Sequence, residues 1–235
     1  MAGVLYFAPN PHCHSMEAYM KIIFTAVLCL CLATIASTAN ECQYFLKDTT
    51  ESNDKKILYK GRPVTGVLCS YGTDSNPRIK SFYKDGVEDG IRITTYKNGQ
   101  VFRETPYKKG IVEGLATHYY ESGQILEEIP YRKGVREGIT KEYYVSGQIS
   151  QEIPYENGRK EGISKHYYEN GQLMFNANNR NNLVEGIIEI YNENGRLKMR
   201  ILSISGKPVE GTCADGSIIP PEELKNFSVR SSVCD

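Results

Sequence analysis

The chain has 235 residues, with 28 Lys+Arg balanced by 28 Asp+Glu, so its formal net charge is zero. That balance removes the electrostatic basis for nucleic-acid binding, which relies on basic stripes, and for strong attraction to anionic lipid. Trp is absent while Tyr reaches 17 and Gly 21, a composition that suits twisted strands joined by tight turns.

Residues 1–19 read as an over-called start, because Met20-Lys21 makes the better opening of a targeting segment. The apolar run Ile22 to Ala33 and the small residues Ser37-Thr38-Ala39 describe a signal peptide over 20–39, cleaved after Ala39. The run is shorter than the roughly 20 apolar residues of a spanning helix, which argues against an anchor. Ala39-Asn40-Glu41 puts a charge directly before Cys42 and makes a poor lipid-attachment site. The chain is therefore expected to be exported, either periplasmic or secreted.

Cleavage removes Cys13, Cys29 and Cys31 and leaves Cys42, Cys69, Cys213 and Cys234. An even count in an exported chain predicts disulfides. Three pairings are open, of which Cys42–Cys69 with Cys213–Cys234 is the most local, each crosslink worth roughly 3 kcal/mol in the chain-entropy picture. No metal site is expected, since C-x-x-C spacing is missing and His118 and His166 are the only mature histidines.

After an N-terminal cap over 40–65, glycines recur with a fixed period. Gly66, Gly90, Gly114, Gly138, Gly162 and Gly186 are each 24 residues apart, and Gly99, Gly123, Gly147, Gly171 and Gly195 keep the same interval. A third column, Gly86, Gly110, Gly134 and Gly158, ends at Asn182. Columns in one phase mean a small unit copied along the chain. In each unit two extended stretches, such as Ile139–Val145 and Gln148–Tyr155, flank a Ser-Gly or Asn-Gly pair, which predicts a two-residue type I′ hairpin.

That turn pairs Lys141 with Glu152, and the same count about Asn194-Gly195 pairs Glu189 with Arg200; facing opposite charges support this register. Pro106, Pro130 and Pro154 lack an amide donor and are expected at strand ends. The expected fold is all-β: an elongated antiparallel meander or solenoid of about six 24-residue hairpins over 66–210, in one twisted layer. One face of that layer is shielded, and apolar rows stay partly open on the other. A C-terminal cap completes the chain over 211–235. The end strands of such an open meander invite pairing.

The pattern N/S-G-Q-x(3)-E-x-x-Y-x-x-G-x(3)-G-x(4)-Y-Y resembles the MORN repeat variant family, in the form found in YwqK-type antitoxins. The resemblance implies a hairpin solenoid with a binding role: neutralising a toxin partner, serving as a membrane-associated scaffold, or acting as accessory repeats beside an enzymatic domain.

Chemistry is not expected. His118 and His166 share a repeat position, but four strand steps of about 4.8 Å hold them roughly 19 Å apart. Glu104, Glu128 and Glu152 form a carboxylate ladder spaced roughly 10 Å by the same geometry, with Lys141 opposite Glu152. No catalytic, cofactor-binding or metal residue is assigned, and the chain reads as a non-enzymatic scaffold for a protein partner. The alternative is a structural module at an envelope or membrane surface. The candidate partner-binding residues are the tyrosine column Tyr96, Tyr120, Tyr144 and Tyr168 and its neighbour Tyr119, Tyr143, Tyr167 and Tyr191, since Tyr is enriched at recognition surfaces.

Overall fold

A computed structural model describes residues 42–71, 77–225 and 233–234. The segments read as an over-called start and a signal peptide lie outside the described residues. The compact unit Tyr44–Asp235 is an antiparallel meander. Each long strand pairs with the next long one, from Gly66–Tyr71 and Pro77–Lys84 through Gly114–Tyr119 and Ile125–Arg132 to Leu197–Ile204 and Lys207–Cys213, and Thr49–Glu51, Ile57–Tyr59 and Arg62–Pro63 form a separate small sheet. The predicted register holds: Lys141 faces Glu152 and Glu189 faces Arg200.

The two kinds of turn exchange the roles expected of them. At Ser146-Gly147, Tyr144 N–H donates to the Gln148 carbonyl and Gly147 N–H to the Tyr144 carbonyl, both at 2.8 Å. Only Gly147 has positive φ, at 86°. This is a three-residue loop, a type I turn closed by one left-handed residue. It needs only one left-handed residue, and the Asn or Ser before the glycine serves a different purpose: Asn98 Oδ1 accepts Gln100 N–H at 2.9 Å, an Asx turn. The two-residue I′ turns lie at the other end of the unit. At Lys109-Gly110 both residues have positive φ, 51° and 78°, and Lys108 pairs with Ile111 across them.

Left-handed backbone at a lysine costs energy, and the neighbouring unit compensates. The amides of these turns point into the preceding repeat, where Gly134 N–H reaches the Val112 carbonyl at 2.9 Å and Lys133 N–H reaches Glu113 Oε2 at 2.7 Å. Glu137, Glu161 and Glu185 hold Asn157, Asn181 and Ser205 in the same way, and the Thr65 hydroxyl stands in for the carboxylate at Asp85. Replacing Glu137 by Ala is expected to lower stability by about 1–2 kcal/mol, as for loss of a hydrogen bond to a charged group, measured by urea unfolding; Glu137→Asp, too short to reach, should behave alike.

The prolines are not at strand ends. Pro130 lies inside Ile125–Arg132 and pairs with Leu115. Its missing donor faces the bulge at Glu137-Gly138, where Glu137 N–H donates to the Pro130 carbonyl at 3.0 Å. A bulge is one of the few places where a sheet accommodates proline away from its edge.

The two faces of the layer differ sharply. Ala116, Thr140 and Ser164 are 0, 1 and 5 % exposed, whereas the preceding residues Leu115, Ile139 and Ile163 are 51, 52 and 58 % exposed. Adjacent residues on a strand point to opposite faces, so the small side chains lie on the shielded side. Longer neighbours cover them: the Arg136 guanidinium lies 5.2 Å from the Tyr155 ring centre and donates to its hydroxyl at 3.2 Å.

The meander is unclosed, as expected, and short flanking segments partly cover its two end strands. Tyr44–Phe45 pairs in parallel along Gly66–Tyr71. At the other end, Ile219 N–H donates to the Gly211 carbonyl at 2.8 Å and Ile218 bridges Thr212. Ile219 and Leu224 pack into a core with Ile190, Met199 and Ile201. Pro220-Pro221 comes next and offers no amide for further pairing. The final loop repeats the three-residue pattern, with Cys213 N–H donating to Ser217 and Gly216 N–H to Cys213. Cys213 thus occupies the slot of Tyr120 or Tyr144, and it is bonded to Cys234 with a Cα separation of 5.5 Å. Cys42 and Cys69 are also disulfide-bonded. Disulfides of this kind belong to oxidising, exported environments, and no helix among the described residues is long and apolar enough to cross a membrane.

Candidate functional site

The face opposite the shielded one carries the most distinctive surface. Ile91, Leu115, Ile139, Ile163 and Ile187 recur at the same position of successive units and are all about half exposed. They pair across the strands with Pro106, Pro130, Pro154, Asn178 and Leu202. On one side the ladder is flanked by Lys108 and Arg132, both exposed, with the aliphatic Ile111 and Val135 facing them. On its other side runs a row of paired charges in which Glu128 and Glu152 both face Lys141. A contiguous apolar stripe of this kind is characteristic of an interaction surface.

The tyrosines turn out to be bonded within the array. Hydroxyls of Tyr96, Tyr120, Tyr144 and Tyr168 donate to the backbone carbonyls of Tyr119, Tyr143, Tyr167 and Tyr191 in the next unit, at 2.6, 2.6, 2.5 and 2.8 Å. The neighbouring column points at the carboxylate ladder: Tyr119, Tyr143 and Tyr167 donate to Glu104, Glu128 and Glu152 at 3.0, 2.6 and 2.9 Å. Tyr191 donates to Glu189 at 3.0 Å. Burial, then the hydrogen bond to the carboxylate, pushes the Tyr143 and Tyr167 phenols up to about 12.

Each hydroxyl of the first column therefore staples two repeats, while the rings stay partly exposed. Changing Tyr144 to Phe should cost about 1 kcal/mol, the usual net value of one hydrogen bond, read by thermal or urea unfolding.

The two histidines do not meet. His118 Nδ1 lies 3.1 Å from Glu127 Oε2, and its hydrogen bond holds that carboxyl below the usual range. The His166 ring stacks on Phe175 at 4.0 Å with planes 12° apart, and burial lowers its pKa from the usual 6.5 to about 4. Because the folded value is depressed, this neutral ring contributes its full stability above about pH 6.5 and loses it as the pH falls towards 4. A melting-temperature series across that window should show a steeper acid decline for the natural chain than for His166→Phe. Among the described residues no cluster of His, Cys, Asp and Glu could hold a metal ion.

Two features of the site escaped the sequence. One is which apolar column stays open: the small residues at Ala116, Thr140 and Ser164, one position after the ladder, are the signal that marks the opposite face as shielded. The other is a third aromatic column, Tyr107, Tyr131 and Tyr155, which comes directly after the prolines and lies on that shielded side.

The profile of the MORN repeat variant family matches residues 88–109, 112–133, 136–157 and 160–178. No curated protein matches the sequence. The matched copies are in phase with the hairpins, each beginning at or beside an I′ turn and spanning one three-residue loop. Residues 88–178 are thus four consecutive MORN repeat variants, members of a structural repeat family that is generally non-catalytic and often binds proteins or membrane lipid.

Proposed function

We propose that the chain is an exported, non-enzymatic repeat scaffold that meets a protein partner along the ladder Ile91, Leu115, Ile139, Ile163 and Ile187. The exposure of these five side chains carries the reading: such apolar surface is costly to leave in water, and a partner removes it. The rings of Tyr119, Tyr143 and Tyr167, whose hydroxyls reach the carboxylates beside the ladder, extend the same binding face, while Tyr96, Tyr120, Tyr144 and Tyr168 belong to the other side of the layer. Neutralisation of a cognate toxin is the finer form of this function. It rests on the resemblance to YwqK-type repeats and on family-level analogy.

The test is affinity capture of the tagged chain, expressed with its own leader in the native host and crosslinked. A stoichiometric protein recovered with the natural chain, and lost with Leu115→Glu/Ile139→Glu/Ile163→Glu while the circular dichroism spectrum is retained, is the expected result. Equal recovery with both chains overturns the assignment of this face.

The exposed ladder beside Lys108 and Arg132 also favours a second reading, a module at a membrane surface. Sedimentation with anionic liposomes in the absence of any protein, abolished by the same triple substitution, would establish that alternative.

A further inference from the structure

We infer that the partner of the apolar ladder is a second copy of this chain, the two meanders lying face to face and parallel, coiled about one another. The inference rests on the assignment of the ladder as the binding face. Three features of the molecule lead to it.

The first is pitch. The ladder offers one aliphatic side chain per unit, and a unit contributes two strands, so the side chains recur roughly every 10 Å along the array. The ridge of each side chain and the gap to the next form a periodic surface. A second copy has the same period, so its side chains stay in step beside these along the whole length, whereas an unrelated surface loses step after one or two units.

The second is twist. Neighbouring strands rotate by roughly 20–25°, so the ladder turns by about 45° per unit and by about half a turn between Ile91 and Ile187. A rigid globular partner touches a stripe that winds away from it over only part of its length. A second array with the same twist follows the stripe by winding around it, as helices do in a coiled coil when their apolar seam drifts around the axis. With Ile111, Val135 and Leu183 beside the ladder, eight half-exposed aliphatic residues present on the order of 700 Å² per copy, close to the ~800 Å² each partner brings to a standard interface.

The third is charge. Lys108 and Arg132 lie on the same face as the ladder, two positions beyond Pro106 and Pro130, with Arg180 and one acidic residue, Glu156, at the equivalent positions of later units, while Glu104 and Glu128 lie two positions before Pro106 and Pro130. A two-fold axis running along the array exchanges the two flanks, so Lys108 and Arg132 of one copy come opposite the carboxylate flank of the other at the same level. An axis across the array would instead set Lys108 against Arg180 and Glu128 against Glu152, with Arg132 against Glu156 the one favourable level. The parallel arrangement is therefore the favoured one.

The experiment is sedimentation equilibrium of the full chain, expressed with export so that its disulfides form. The natural chain is expected to be a dimer. A ladder of Leu115→Glu/Ile139→Glu/Ile163→Glu and a second of Leu115→Lys/Ile139→Lys/Ile163→Lys should each weaken association at least a hundredfold while keeping the circular dichroism spectrum. Mixed together, the two ladders should associate again, because each Glu row then faces a Lys row. Ile187→Cys should be captured as a covalent dimer by a short bismaleimide, since parallel arrays bring position 187 of both copies together and antiparallel arrays hold the two at opposite ends.

A natural chain that stays monomeric up to several hundred micromolar overturns the inference. So does a dimer that neither ladder weakens, or one in which Ile187→Cys fails to crosslink. If the chain is monomeric yet the Glu ladder still abolishes capture of another protein, only the self-pairing is lost and the ladder remains the binding face. If neither association nor capture responds to the ladder, the proposed binding face fails with it.

Discussion

Replacing Ile201 by Ala is expected to destabilise the chain by about 3–5 kcal/mol, the upper part of the range for deleting a fully buried aliphatic side chain. Ile201 is completely buried, as is Met199 beside it, and both pack with Ile190, Ile219 and Leu224. The site is unable to collapse onto the void, because its walls belong to three different elements: the strand Leu197–Ile204, its neighbour Leu183–Tyr191, and the segment folded back after Gly211. Gly211 shows how closely these walls approach, since a Cβ there would lie 2.8 Å from Ile201 Cδ1 and 2.9 Å from Ile219 Cδ1. Urea unfolding followed by far-ultraviolet circular dichroism reads the total loss. Hydrogen exchange should also show the amides of Lys207–Cys213 losing protection before those of Gly114–Tyr119. A loss below about 1 kcal/mol would mean that the cluster is not a packed core.

The second large effect is expected at the bulge glycines. Gly138 has φ of 108°, and a Cβ there would come within 3.3 Å of the Pro130 ring. Gly138→Val combines a backbone region that is costly for a branched residue, roughly 1–3 kcal/mol, with displacement of the proline that faces the bulge. Strain and a modest packing term together give a destabilisation of about 3 kcal/mol. Gly147→Asn, by contrast, places a residue that tolerates left-handed backbone where nothing lies within 4 Å of the new Cβ. It should cost well under about 1 kcal/mol. Comparing the two by thermal unfolding separates the glycines that the array needs for packing from those it needs only for a turn; equal losses would contradict that distinction.

The period and the register were legible because both depend on spacing alone. A count outward from Ser146-Gly147 reaches the pairing of Lys141 with Glu152 whether the loop is a two-residue I′ turn or the three-residue loop found, because the bulge near Tyr143 absorbs the extra residue. The turn types themselves were not legible. Lys133 is a poor candidate for left-handed backbone on its own merits, and it is held there by its hydrogen bond to Glu113 in the preceding repeat. Local propensity gives way to a contact 20 residues distant. The position of Pro130 was misplaced for a related reason: the bulge that accommodates it lies on the adjacent strand, around Glu137 and Gly138.

The tyrosine columns show the same limit. Their abundance and their period pointed to a surface, but their hydroxyls find acceptors 23 residues further on, at backbone carbonyls no side-chain pattern reveals. The apolar ladder was visible as a column, yet alternation alone gives two faces without saying which one is shielded.

The bond between Cys213 and Cys234 has a consequence for how the array comes apart. Every tyrosine staple takes its acceptor from the next unit along, so the last unit has none to use; Cys213 stands in that slot and is tied covalently instead. The array therefore has a polarity in its failure. A reductant loosens both ends, since Cys42 and Cys69 are bonded as well, but only unravelling from the C-terminal end, where Ile219 and Leu224 cover the last edge, takes an acceptor from each unit still folded.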